Sequence, residues 1–469
     1  MAATMRDRAV IVLVAAAVLV LGLVTARAEP RGEGGVLPAG SDLDLDSLYR
    51  PREVFRSEAI HGRKPYLVVL GDIAFGAPSL LGGPARQAGI SCSTCHVAGA
   101  NNPALYIPGL STRGGNFDTT NALFNAKADN GVFDPVAIPS LRGARQFGPY
   151  GHDGRMASLR DFVRQVIVVE FAGPEPAPEI LDALVAYVQD IDLLPNRRLG
   201  QDGKLLAPLS DAEKRGEALF AKPFPHDPSL SCAGCHLPSA GFVDHVQHDV
   251  GSAGLFKTPT LRNANFNAPY FHDGRYRSYG EVVAHFDRMF YLGLSAQDRE
   301  DLVAYLKAIG GADEPFVADS IELRLAEIDD FIGALDTAIP EHNAGAVALT
   351  VDAVSGDLRE LAENFPERKD TSVTGGLEER RRARGALREL VLSLHHVGAA
   401  AADGQFTEAV AALGDYRAQR AQALPLLKAA EPWSLFNPTI NEARRSALRQ
   451  VTKAGADPRL AARPRPDDD

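Results

Sequence analysis

The spacing of apolar positions changes character three times along this chain. Residues 9–24 are apolar without interruption, behind Arg6 and Arg8. From there to about residue 311, apolar residues recur at helical spacing in separate stretches, 159–170, 179–191, 210–220, 279–290 and 295–309, divided by Pro- and Gly-rich loops. Strand-like alternation is sparse. After Pro315 the spacing becomes heptad-like. Ile321, Leu325, Ile328, Ile332 and Leu335 step by four and three, as do Val347, Val351, Val354, Leu358 and Leu361, so each set lies on one helix face. Stretches 387–397 and 406–424 supply two weaker apolar faces, with 364–377 as the loop before them. Four antiparallel helices would bury the four stripes together. The pattern predicts an all-α protein.

A repeat organises the middle of the chain. Pro139-Ser-Leu-Arg142 and Pro149-Tyr-Gly-His-Asp-Gly-Arg155 return as Pro259-Thr-Leu-Arg262 and Pro269-Tyr-Phe-His-Asp-Gly-Arg275, at a constant offset of 120 residues. A Cys pair precedes each copy and Leu-Val-Ala-Tyr follows each, at 184–187 and 302–305. The expected organisation is a signal peptide at 1–28, two homologous units at 55–195 and 209–311, an accessory helical bundle at 316–430 and a disordered tail at 454–469. From the Cys-pair His to the repeated Pro is 43 residues in the first unit and 23 in the second, so the first carries 20 extra residues beside its site.

The chemistry sits in the Cys pairs. All four cysteines of this 469-residue chain fall in Cys92-Ser-Thr-Cys95-His96 and Cys232-Ala-Gly-Cys235-His236. The C-x-x-C-H spacing lets two thiols bond to the two vinyl groups of haem while the adjacent His reaches the iron. Joining both pairs into one Cys₄ zinc site is the rival reading, but they stand far outside zinc-ribbon spacing. Simple disulfides would leave both His unexplained. The leader, ending Thr-Ala-Arg-Ala28 with small residues at the A-x-A positions, reads as a secretory signal cleaved before Glu29, in preference to an uncleaved anchor. A periplasmic protein with no membrane span after cleavage is expected. A formal charge of −11 gives no support to a nucleic-acid partner.

The two C-x-x-C-H units, each followed by P-[ST]-L-R and P-Y-x-H-D-G-R, resemble the bacterial di-haem cytochrome c peroxidases, a superfamily that also holds the di-haem enzyme maturing tryptophan tryptophylquinone. The resemblance covers roughly 50–311 and is clearest in Phe256-Lys-Thr-Pro-Thr-Leu-Arg-Asn263 and Pro269-Tyr-Phe-His-Asp-Gly274. It implies two cytochrome c-like haem domains, two covalent haems, a first haem that meets hydrogen peroxide and a second that takes electrons from a small c-type cytochrome or cupredoxin.

On that resemblance His96 and His236 are the proximal ligands, and Arg142 and Arg262, with Arg155 and Arg275, are candidates to pair with haem propionates. No His or Met lies between His96 and His152, which leaves the first haem's distal side open unless Tyr106 occupies it. The family's sixth ligand on the second haem falls at Phe286, which cannot ligate; Met289 is the favoured replacement and His285 the alternative. Asp161 falls where the family's peroxidases place their acid, with Glu170 as alternative. His152 and His272 read as turn and haem-edge residues. Two departures stand out: His152 replaces the family's bridging Trp, and Ala137 replaces an Asn of its calcium site, leaving calcium possible but unsupported. The leading expectation is peroxide reduction; a di-haem oxidase of a protein or organic substrate, and a non-enzymatic electron carrier, are the alternatives.

Overall fold

The computed structural model describes residues 36–38, 40–43, 49–367, 373 and 375–454, so the expected signal peptide and nearly all of the expected tail lie outside it. Among the described residues no helix is long and apolar enough to cross a membrane. Helices dominate; the strands are two- and three-residue segments, β1 Tyr49–Pro51, β2 Asn116–Phe117, β3 Val136–Ala137, β4 Gln247–Asp249, β5 Leu255–Lys257 and β6 Phe316–Ala318, paired antiparallel as β1·β6, β2·β3 and β4·β5.

Each unit is built on one helix crossing. In the first, α1 (Tyr66–Gly76) packs on α3 (Pro178–Asp190); between them in sequence runs α2 (Leu159–Gln165), continued by a π-helical turn, Val166–Glu170. In the second, α4 (Asp211–Ala221) packs on α6 (Ala296–Gly310), with α5 (Tyr279–Met289) between. A glycine permits each close approach. A Cβ at Gly71 would stand 2.0 Å from the Ala183 carbonyl oxygen, and one at Gly216 would stand 2.1 Å from that of Asp301. Beside each glycine an aromatic pair closes the contact, Phe75 on Tyr187 at 5.0 Å and Phe220 on Tyr305 at 5.2 Å. The repeated Leu-Val-Ala-Tyr thus places its Leu and Tyr, three residues apart, on the inner face of the second crossing helix.

Helix α1 had no periodic signal in the sequence because it is covered on two sides. Val68, Leu70, Ile73, Ala74 and Phe75 are all buried, and α1 touches the bundle as well as α3. The bundle helices are α7 (Ile321–Ala338), α8 (Ala344–Glu363), α9 (Leu377–Ala402) and α10 (Phe406–Ala430), each packed on the next, and a further helix, α11 (Pro438–Ala454), follows beyond 430. The predicted stripes on α7 and α8 are buried to the last residue named. Their core runs without a break into that of the first unit, whereas the second unit keeps its own apolar cluster. The apolar cluster thus changes at the expected 311–316 boundary, and the β1·β6 pair ties the segment after it to the start of the first unit.

The two units meet at a seam with two-fold character. The Ala137 amide donates to the His272 carbonyl at 2.7 Å, and the Lys257 amide donates to the His152 carbonyl at 3.0 Å. Both partners in one bond lie 120 residues from their counterparts in the other, so each unit lends its short strand to the other's His-Asp-Gly turn.

Replacing Gly71 or Gly216 by Ala should cost about 3 kcal/mol, because backbone faces the new methyl and neither helix can yield without moving its neighbours. Gly76→Ala, with nothing within 4 Å of its Cβ position, should be close to neutral. Denaturant unfolding of the three variants measures the difference.

Candidate functional site

Each C-x-x-C run forms one helical turn, Cys92–Cys95 and Cys232–Cys235, entered through a serine; the Ser231 hydroxyl accepts the Gly234 amide at 3.0 Å. All four thiols are free. Burial pushes Cys92 up to about 11 and Cys95 up to about 12, so these are neutral thiols in apolar surroundings. Among the described residues the one grouping with metal-ligand spacing is Cys235, Asp244 and His248, within 4.8 Å of one another; the two Cys pairs do not come together as a zinc site.

The adjacent histidines are held through one ring nitrogen. His96 Nδ1 bonds the Pro139 carbonyl at 2.9 Å, and His236 Nδ1 bonds the Phe242 carbonyl at 3.1 Å with the Pro259 carbonyl as a further acceptor. This explains the repeated proline: its carbonyl fixes the tautomer that leaves Nε2 free to ligate. Burial lowers His96 to about 4 and His236 in the same direction, keeping both imidazoles in the neutral form a metal requires. Phe75 and Phe220, from the two crossings, stand 6.3 and 6.4 Å from the respective rings. Arg142 is buried, with one nitrogen on the Arg52 carbonyl at 3.0 Å and its Nε without a partner; Arg262 is partly buried and its guanidinium is likewise disfavoured by burial. Free paired thiols, a neutral His tied at Nδ1 and a buried cation with an unpaired donor fit a haem carrying vinyl groups, iron and anionic propionates.

The two units diverge past their His-Asp-Gly turns. Ser158 and Ser278 cap α2 and α5, and Asp161 and Glu281 both stand third after the cap, so an acid at this position is common to both units; the Glu281 carboxylate closes a capping box on Ser278, whereas only the Asp161 amide bonds Ser158. Asp161 is exposed, at the edge of an open cleft of about 490 Å³ lined also by Met156, Arg164, Gln165 and Val169. Glu170 differs on every count. It ends the π-helical turn, is buried, and takes Arg155 Nη2 at 3.2 Å and a bond from Thr119; burial nevertheless raises its pKa. Its counterpart 120 residues on is Phe290, so the second unit has no equivalent acid.

The second unit is instead aromatic at the corresponding place. Phe286 stands where the first unit has Val166, stacked on Phe290 at 6.1 Å and beside Phe271 at 5.8 Å. Phe271 holds a φ of 71°, where the first unit uses Gly151, a backbone cost accepted only when surrounding contacts fix it. His285 is occupied at both nitrogens, Nδ1 by the Tyr276 hydroxyl at 2.9 Å and Nε2 by the Val250 carbonyl at 2.7 Å. The Met289 sulfur lies against Gly251, whose Cβ position is 3.2 Å from it.

His152 and His272 sit at the seam. His152 bonds the Ala137 carbonyl through Nε2 at 2.7 Å, whereas His272 stacks on Phe256 at 3.6 Å and leaves a buried Nδ1 unpartnered. At Ala137 both backbone groups are engaged in the seam. Lys257, which the sequence reading passed over, donates to the Phe147 and Pro149 carbonyls across the seam at 2.7 and 2.5 Å, and burial lowers it to about 8. Its signal was its place in the Phe-Lys-Thr-Pro motif.

Residues 211–317 match the di-haem cytochrome c peroxidase family. The chain is 24% identical over 364 residues to the gamma subunit of hydrazine synthase from Kuenenia stuttgartiensis, covering 63% of this chain and 94% of that one. It is 27% identical over 365 residues to the methylamine utilization protein MauG of Methylorubrum extorquens, covering 64% and 94%. A shorter match, 35% over 169 residues, joins it to the cytochrome-c peroxidase IdrP1 of a Pseudomonas strain, covering 24% of this chain and 43% of that one. The second unit thus carries the match to the di-haem cytochrome c peroxidase family, and the chain is similar to oxidoreductases of that superfamily.

Proposed function

We propose that the protein is an exported di-haem enzyme that reduces hydrogen peroxide at its first haem with electrons relayed by its second. The observation that carries this reading is the break in symmetry between Glu170 and Phe290, which puts a buried acid in one unit and an aromatic cluster in the other.

Cys92, Cys95 and His96 would hold one haem, and Cys232, Cys235 and His236 the other, with Arg142 and Arg262 toward the propionates. When bound, the haems supply electron storage and an iron site for peroxide. The chain's own residues do the rest. His96 and His236 stay neutral and oriented through their Nδ1 bonds. Glu170, whose burial favours the protonated form and which Arg155 aims, would give a proton to the departing oxygen as the O–O bond breaks and take one back from water. Val166, at the position of Phe286, offers no ligating atom, consistent with an open first site. Asp161 is left as an exposed residue of the cleft. Met289 is the better candidate than His285 for the second iron, because both His285 nitrogens already have partners. A small c-type cytochrome or cupredoxin is the donor class this division implies.

Glu170→Gln should lower peroxide turnover about a hundredfold, in line with general acid–base contributions, while Asp161→Asn should leave it within about twofold. Steady-state peroxide consumption with a reduced small cytochrome measures both; the reverse ranking would return the acid's role to Asp161. Met289→Ala should abolish the near-infrared sulfur-to-iron band and lower the second haem's potential, since thioether ligation favours reduced iron. If the band is absent in the parent protein and His285→Ala alone removes low-spin character, His285 is the ligand.

A further inference from the structure

Behind the first unit's proximal histidine lies a group of partly buried ionisable residues around the buried Tyr187 that the reaction does not use. Tyr187, which packs on Phe75 and through it on His96, donates its hydroxyl to Glu53 Oε1 at 2.8 Å. The next residue back, Arg52, gives its carbonyl to Arg142. Glu53 therefore stands behind both the axial imidazole and the candidate propionate arginine.

We propose that Glu53 is a positioning and proton-exchanging residue of the first haem: when that haem gains an electron, the Glu53 carboxylate takes up one proton from solvent.

The surroundings of Glu53 are short of positive charge. From α1 it faces Asp72, which is paired with Lys64 at 2.8 Å, their side chains 13% and 10% exposed. From the bundle it faces Glu327, paired with Arg50 at 2.7 Å. Beyond these lie Asp330, which acts on Lys64, and Asp357, which feels Asp72, Glu327, Glu360 and Arg324. Arg324 is already shared between Asp319 and Glu360, both at 2.9 Å. Arg142 is the remaining cation on the haem side. With more carboxylates than cations and α7 and α8 covering them, full ionisation is unfavourable. Burial, helped by Asp72, raises Glu53 to about 7 against the opposing pull of Tyr187 and Lys64, and Asp357 also rises to about 7.

Reduction adds one negative charge to the haem, which makes the nearby carboxylate a better base. Across about 10 Å in a partly buried setting a unit charge changes proton affinity by roughly tenfold. One electron arrives from the reductant, one proton arrives from water, and the Glu53 carboxylate becomes a carboxylic acid; no other bond changes. The second unit lacks the device. Its Tyr305 feels Glu217, but among the described residues no carboxylate is hydrogen-bonded to it.

The inference rests on the di-haem reading, and the experiment separates the two. Spectroelectrochemical titration of the full holoprotein from pH 5.5 to 8.5 follows each haem's potential. The first haem's potential should fall as pH rises through about 7 and level off outside that window, and the second should not follow it. Glu53→Gln should abolish the slope at the first haem. Tyr187→Phe removes the bond that favours ionised Glu53, so it should move the inflection to higher pH, and it serves as the arbiter if the glutamine variant does not fold. An unaltered slope in Glu53→Gln, an unmoved inflection in Tyr187→Phe, or a pH-independent first haem in the parent protein overturns the proposal. A protein with no haem at Cys92 and Cys95 shows one redox centre at the outset, and that result strikes the di-haem reading itself.

Discussion

An imidazole serves an iron well only if its other nitrogen is held, and in this protein the loop that holds it also builds the domain seam. The Pro139 carbonyl that takes His96 Nδ1 stands two residues after Ala137, whose amide reaches into the other unit; Pro259 and Lys257 repeat the arrangement. Proximal geometry and contact between the units are thus set by the same few residues. The exchange of backbone bonds across the seam keeps the two Cys-Cys-His sites in fixed relation.

On that shared frame the units are free to differ only on the other side, and there they do. Helices α2 and α5 begin alike, with a serine cap and an acid three residues on, and end differently, one in a π-helical turn bearing a buried Glu170, the other in stacked phenylalanines. A π-helical turn shifts the residues after it around the helix axis, and such turns occur often at functional sites. Here it delivers Glu170 to Arg155, a residue of the repeated turn, so the acid is anchored to the seam as well. The bundle adds a third layer whose core is continuous with that of the first unit alone.

Much of this was legible in the sequence, for identifiable reasons. Haem attachment would require a fixed spacing of Cys, Cys and His, and the seam uses the same residues twice, so the sequence shows C-x-x-C-H in two copies and the seam motifs at an offset of 120. The bundle stripes were visible because each helix there buries a single face. Helix α1 was not, because burial on two sides erases periodicity. The contrast between Asp161 and Glu170 is present in the repeat, since Asp161 has a counterpart in Glu281 and Glu170 has none, but their difference in burial is visible only in the folded chain. The acids around Glu53 come from α1, α7, α8 and the amino-terminal segment, and only the folded chain brings such distant positions together.

The central claim is that two equivalent haem cradles carry unlike distal sides, one open and one filled by the protein. Electron paramagnetic resonance of the fully oxidised holoprotein reads this directly, because an iron lacking a strong sixth ligand is high-spin and one with two strong ligands is low-spin. The account predicts one high-spin and one low-spin ferric signal of equal weight, with the high-spin signal alone altered by peroxide. Two low-spin signals that peroxide leaves untouched would contradict it and make the protein an electron carrier.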